Sequence, residues 1–266
     1  MSGLLVSQIF IYPVKSLGGI SVQEAEVLPK GLAMDRRMML VDESLRFITQ
    51  RQFPALSLFR TSISEKGNGF LVAHRGCSIE VPQAPAGPLL KAMVWDDAVE
   101  VHEVSPLISE WFSDQLKLHC RLVSFPEENP RAVDPDYALH PSNQTSLSDG
   151  FPLLIIGQAS LDDLNGRLEQ PLPINRFRPN LVFDGGGAFE EDGWGQFSVG
   201  NIRLAVVKPC GRCVITTIDQ QTGLAGREPL ATLSSYRKVG NKLMFGQNVI
   251  PIDKGVIRVG DSIKLG

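Results

Sequence analysis

The chain has 266 residues, a formal net charge of -3 and 21% charged residues, which gives no reason to expect nucleic acid or an acidic membrane as a partner. Its length suits two ordinary domains, each able to bury a core without disulfides or metals. With four cysteines (Cys77, Cys120, Cys210 and Cys213) and no basic leader before Tyr12, a disulfide-rich secreted scaffold is excluded and a reducing cytoplasm is the expected location.

Leu4 to Tyr12 reads as a first strand, because Ser7, Gln8 and Pro13 interrupt its apolar run well short of a membrane span. From there to Val104, short β-branched or aromatic runs alternate with turn residues, the pattern of an all-β sandwich or barrel. Expected hairpins join Met38 to Val41 with Phe47 to Thr49, Ser57 to Ser64 with Phe70 to Ala73 across Lys66-Gly67-Asn68-Gly69, and Ala92 to Trp95 with Val99 to Val104 across Asp96-Asp97. Ser105-Pro106 opens a helix whose Leu107, Ile108, Trp111, Phe112 and Leu116 recur at helical spacing, giving it one buried face, with Trp111 and Phe112 expected to pack in the core. Cys77 and Cys120 are expected as small buried apolar residues.

A strand at Arg121 to Phe125 is followed by Pro126 to Gly150, which lacks either period and is long for an unstructured connection unless it links domains or covers a site. The domain boundary is placed there, giving domains 1–125 and 126–266. The second half opens on a buried strand, Pro152 to Ile156, and a helix start at Ser160-Leu161-Asp162-Asp163. Strands are then expected at 181–183, 196–199, 202–207, 214–218, 248–252, 256–259 and 262–265, with a short helix from Pro229 to Tyr236. The fold class is mainly β with a few helices, an α+β chain.

Cys210-Gly211-Arg212-Cys213 is the segment richest in chemistry. Zinc would need two more ligands, and His74, His102, His119 and His140 are scattered. A dithiol redox motif should open a helix after a strand, whereas Val214-Ile-Thr-Thr-Ile reads as a continuing strand. What remains is one thiolate at a strand start, beside Arg212, able to ligate a metal held by something other than protein. Cations placed at strand ends (Lys15, Arg36, Arg37, Arg51, Arg176 and Arg178) are either solvated surface charge or a convergent anion site.

Six motifs in order carry a resemblance over nearly the whole chain: Ile11-Tyr-Pro-Val-Lys-Ser16, Gly31-Leu32-x-x-Asp35-Arg36, Ser148-Asp149-x-x-Pro152 with Ala159-Ser160-Leu161-x-Asp163-Leu164-Asn165, Phe177-Arg-Pro-Asn180, Cys210-x-Arg-Cys213-x-x-Thr216-Thr217-x-Asp219, and Phe245-Gly246-Gln247. The chain resembles MOSC-domain proteins with their N-terminal β-barrel-like domain, as in mitochondrial amidoxime-reducing components and bacterial YcbX-type proteins. The resemblance implies a molybdenum cofactor, the metal with its molybdopterin, between two β-barrel-like domains. It implies Cys213 as the catalytic thiolate on molybdenum, Lys15, Ser16 and Arg36 at the pterin phosphate with Arg37 as the one-residue alternative, and Asp149, Arg178, Asn180 and Arg212 near the pterin. It further implies reduction of N-hydroxylated small molecules to amines or amidines. The chain ends without the cysteine spacing of a [2Fe-2S] domain, so a separate reductase or ferredoxin is the expected electron donor, with no membrane or nucleic-acid partner. The alternative is a non-catalytic carrier of the cofactor or of sulfur.

Overall fold

The computed structural model of the protein describes residues 3–65, 67 and 69–266, and it is mainly β with three α-helices, Pro106–Leu116, Gln158–Asn165 and Leu230–Tyr236, among them. The expected α+β class holds. The largest sheet takes its strands in the order Ile263–Leu265, Gln196–Val199, Ile202–Arg212, Lys242–Pro251, Leu153–Gly157, Leu181–Asp184, Leu5–Ile11, Ile20–Val22, with Lys238–Val239 at one side. Leu5 bridges Ser262, and the Ile263 amide donates to the Leu4 carbonyl, so the sheet curls back on itself. The first strand of the chain therefore pairs with strands of the second half.

Leu153–Gly157 shows why a continuous apolar run becomes a central strand. Leu153 and Ile155 enter the core inside the curled sheet with Ile9, Leu181 and Val249, while Leu154 and Ile156 enter a second core with Leu161, Leu164, Phe177 and Phe245. Both faces are buried, so the period-2 alternation disappears. Met38–Val41 is built the same way: Met38 and Leu40 face one core, Met39 and Val41 another. That strand belongs to a four-stranded sheet with Arg121–Ser124, Asp97–Glu103 and Leu89–Val94.

The hairpins form with adjustments. Val94 opposes Asp97, so the turn is Trp95-Asp96, one residue earlier than expected, with Trp95 in the left-handed region. Arg60–Ile63 pairs with Gly69–His74, whereas Ser57 and Leu58 end a 3₁₀ helix, Pro54–Leu58, instead of extending the strand. Of the turn expected there, Lys66 and Asn68 lie outside the described residues. Ser105 takes the N-cap position of the first α-helix without a side-chain cap bond, and Phe112 is fully buried. Cys120 is buried but Cys77 is exposed, because it starts an edge strand, Cys77–Pro82, directly after the Arg75-Gly76 turn.

Two further corrections bear on function. The strand expected from 202 runs on to Arg212, carrying Cys210 with it. Val214 to Thr217 is then a 3₁₀ turn, not a strand. Its cause is local: the Thr216 hydroxyl and amide both donate to the Cys213 carbonyl, at 2.9 and 3.1 Å, and Thr217 donates to Val214 at 2.8 Å. Such side-chain bonds compete with a strand ladder.

Candidate functional site

A cavity of about 640 Å³ collects residues from every part of the chain. Lys15, Ser16, Arg36, Arg51, Asp149, Arg178, Asn180, Lys208, Cys210, Arg212, Cys213 and Lys242 all face it. Seven of its side chains are cations and one is a carboxylate, in a chain whose formal net charge is -3. Local charge is thus opposite in sign to the whole, the condition for focusing an anion.

The first wall is built around Tyr12 at the end of strand Leu5–Ile11. The Asp35 carboxylate accepts from the Tyr12 amide at 2.8 Å and from Arg36 Nη1 at 2.6 Å. Arg36 also donates to Asn180 Oδ1 and to the Arg178 carbonyl, at 3.2 and 3.1 Å. The Arg36 and Arg178 guanidiniums lie 4.4 and 4.2 Å from the Tyr12 ring centroid. Burial pushes the Tyr12 hydroxyl up to about 12 and brings Arg178 down to about 10, with the neighbouring Arg36 charge adding to the second effect. An anion in the cavity would relieve that cost on Arg178.

Three of these wall residues, Ser16, Arg36 and Arg178, have φ of 70°, 51° and 55°. Non-glycine residues in the left-handed region are uncommon, and such strain gathers where a site over-determines the backbone. Here the surroundings hold it: Gln50 Nε2 donates to the Ser16 carbonyl at 2.7 Å, and Arg36 N to Tyr12 O at 2.8 Å.

The second wall joins three distant segments. Lys15 Nζ donates to the Leu147 carbonyl at 2.8 Å and to Asp149 Oδ1 at 2.5 Å. Asp149 Oδ2 accepts from Arg51 Nη2 at 2.9 Å, and the same nitrogen donates to Cys213 Sγ at 3.4 Å. Burial would raise the Asp149 carboxyl, yet Lys15 and Arg51 outweigh it and hold the group well below the usual carboxylate range. Burial lowers Lys15 despite Asp149.

Cys213 begins the 3₁₀ turn, and Arg176 braces that turn by donating to Thr216 O at 3.4 Å and to Asp219 Oδ2 at 2.9 Å. Cys210, Arg212 and Lys208 lie on the long strand, whose register against Lys242–Pro251 shifts between Val206 and Lys208 and again between Pro209 and Gly211. Bulges of this kind re-aim side chains next to functional sites. Nearby, Gly246 at φ 77° leaves no room for a side chain, since a Cβ would stand 2.9 Å from the Ile155 carbonyl oxygen.

The site residues expected from sequence meet here with one exception. Arg37 faces a separate cleft, where it donates to Glu127 and to the Lys30 and Asp35 carbonyls. Successive residues face opposite ways, so of the two alternatives only Arg36 lines this cavity. The partner of Cys213 also differs from expectation. Arg212 donates to Cys210 Sγ at 2.9 Å and to the Phe177 carbonyl at 2.6 Å, while Arg51 is the cation at Cys213. Among the described residues no group of three or more His, Cys, Asp and Glu is arranged to hold a metal, so a metal at Cys213 would draw most of its ligands from elsewhere.

Residues 3–119 match the MOSC N-terminal beta barrel domain and residues 142–264 the MOSC domain. The chain is 35% identical to mitochondrial amidoxime-reducing component 1 of Mus musculus, over 98% of this chain and 82% of that protein, and 34% identical to the Homo sapiens protein over the same shares. It is 35% identical to mitochondrial amidoxime reducing component 2 of Bos taurus, over 87% of this chain and 72% of the relative. Among solved structures, the YUAD protein of Bacillus subtilis aligns over 98% of this chain and 94% of its own at 10% identity with a TM-score of 0.43, too remote to inform the site.

The relatives correct one expectation. Their names are mitochondrial, which points away from the cytoplasm as the location. Among the described residues no helix is long and apolar enough to cross a membrane. A function related to the molybdenum cofactor, of oxidoreductase type, is what this kinship supports. With two domain matches in order and relatives more than 30% identical along nearly its whole length, the chain belongs to the MOSC-domain family of the amidoxime-reducing components.

Proposed function

We propose that this protein reduces N-hydroxylated compounds to amines or amidines with a molybdenum cofactor, Cys213 serving as the sulfur ligand to the metal. The observation that carries the reading is the Cys213 sulfur in a cavity lined by seven cations and one carboxylate. The donor set suits such a group, because a soft thiolate favours a soft metal and the cationic wall favours a phosphate-bearing organic ligand. Arg51 Nη1 and Arg212 Nε, buried nitrogens on the cavity wall, have no hydrogen-bond partner among the described residues. In this reading Lys15, Ser16 and Arg36 hold the pterin phosphate, and Asp149, Arg178, Asn180 and Arg212 flank the pterin. When bound, the cofactor supplies the two-electron reducing chemistry.

The overall change is balanced by two electrons and two protons per N–O bond broken, with the oxygen leaving as water. Electrons come from a separate reductase or ferredoxin. Arg51 fixes the direction of the Cys213 sulfur by donating to it. Asp149, held ionised by Lys15 and Arg51, acts as counter-charge, not as acid, so the protons enter from water.

Replacing Cys213 by Ser is expected to lower molybdenum content and turnover about a hundredfold or more, while Cys210→Ser keeps both. Metal analysis, fluorescence of the oxidised pterin and an N-reductase assay with a competent electron donor check this. Retention of metal and turnover by the Cys213 variant would overturn the ligand assignment. Full molybdenum and pterin without turnover in the parent protein would instead mark a carrier.

A further inference from the structure

The cations of the cavity fall into two sets. Lys15, Arg36, Arg51, Arg178 and Arg212 each donate to protein acceptors. The Lys208 and Lys242 ammonium groups have no acceptor or ion-pair partner among the described residues, and both face the cavity. Lys208 Nζ instead lies 3.6 Å from the Tyr137 ring centroid and 5.7 Å from that of Phe151, and these two rings meet edge to face at 6.0 Å. Lys242 runs its aliphatic stem along Gly211 on the neighbouring strand. Asn248, opposite Lys208 in the strand register, also has a side-chain amide without a hydrogen-bond partner among the described residues.

A partly buried ammonium resting on an aromatic face has lost hydration and gained only a cation–π contact. Its remaining donors call for an anion, and the adjoining rings call for a flat apolar body. We infer that Lys208, Lys242, Tyr137, Phe151 and Asn248 form a substrate subsite that selects a planar aromatic N-hydroxylated compound bearing a carboxylate remote from the N–O group. The inference rests on the proposed reductase reading. The carboxylate meets Lys208, the ring lies against Tyr137 and Phe151, and the N–O end extends toward Cys213 in the same cavity.

The test compares the holoenzyme with its Lys208→Met and Tyr137→Leu variants. An aryl amidoxime, its para-carboxylate and its para-aminomethyl derivative serve as substrates, and 4-carboxybenzamidine, which has no N–O bond, serves as an equilibrium ligand by calorimetry. The parent is expected to favour the carboxylate over the neutral compound about tenfold in kcat/KM, mostly through KM, and to disfavour the cationic one. In Lys208→Met the carboxylate-to-neutral ratio falls to about one and 4-carboxybenzamidine binds about tenfold more weakly, whereas Tyr137→Leu weakens all three substrates.

A ratio near one in the parent, an undiminished ratio in Lys208→Met, or loss of molybdenum and pterin from that variant would overturn the subsite, the last by assigning Lys208 to the cofactor. Binding of 4-carboxybenzamidine that depends on Lys208, without turnover of any substrate, would retain the subsite and reject the reductase reading.

Discussion

The cavity that holds Cys213 and the cleft that holds Arg37 lie on either side of one dipeptide, yet they are built on opposite principles. On the Arg36 side, backbone in the left-handed region and seven cations meet one carboxylate. On the Arg37 side, Leu28, Met34, Met38, Phe70 and Phe125 line the walls, and the guanidinium is paired with Glu127 and two carbonyls. On the first side the cations outnumber the carboxylate, an excess that a ligand would balance, whereas on the second the guanidinium is matched within the protein. The difference teaches that two adjacent arginines, with side chains 14% and 10% exposed, can face unrelated surroundings.

The sharpest way to break this comparison is to neutralise each arginine in turn. Arg36→Met is expected to lower cofactor content about ten- to a hundredfold, measured as molybdenum and pterin per chain. Arg37→Met is expected to keep the cofactor but to cost about 1–3 kcal/mol of stability in denaturant unfolding, because the Lys30 and Asp35 carbonyls lose their donor. Equal cofactor loss in both variants would erase the distinction.

A smaller effect tests the carboxylate. The Asp149 carboxyl is held below its ordinary value of 3.8, burial opposing and Lys15 with Arg51 prevailing. A depressed folded pKa contributes stability that is fully present above the unfolded value and is lost progressively as pH falls from there through the folded one. The melting difference between the parent and Asp149→Asn is therefore expected to stay constant from pH 7 to pH 4.5 and to shrink only in stronger acid. A difference that vanishes by pH 5 would show that Lys15 and Arg51 do not hold the carboxylate as described.

Much of the fold was legible because its signals are local. Pro106 and the helical spacing of Ile108 and Phe112 place the first α-helix, and the turn at Gly200-Asn201 places the hairpin of Gln196–Val199 with the following strand. The segment after Cys213 misled because Val214, Ile215, Thr216 and Thr217 are all β-branched, while the deciding bonds come from threonine hydroxyls to carbonyls three residues back. The cationic site was half legible. Lys15 and Arg36 follow strands and Arg178 precedes one, but the role of Arg51 depends on Asp149 and Cys213, 98 and 162 residues away. Neighbours so distant leave no trace in spacing.

The pairing of strand Leu5–Ile11 has a consequence in time. Of its partners only Ile20–Val22 follows closely in the chain, so early in synthesis it is the one that can pair with it. Its other partner, Leu181–Asp184, follows some 170 residues later, and the Ser262 contact later still. At roughly 5–20 residues per second, the apolar side chains of Val6, Ile9 and Ile11 wait on the order of ten seconds or more before the sheet can close over them. Until Leu181–Asp184 has been made, the apolar face of this strand has no sheet to close over it.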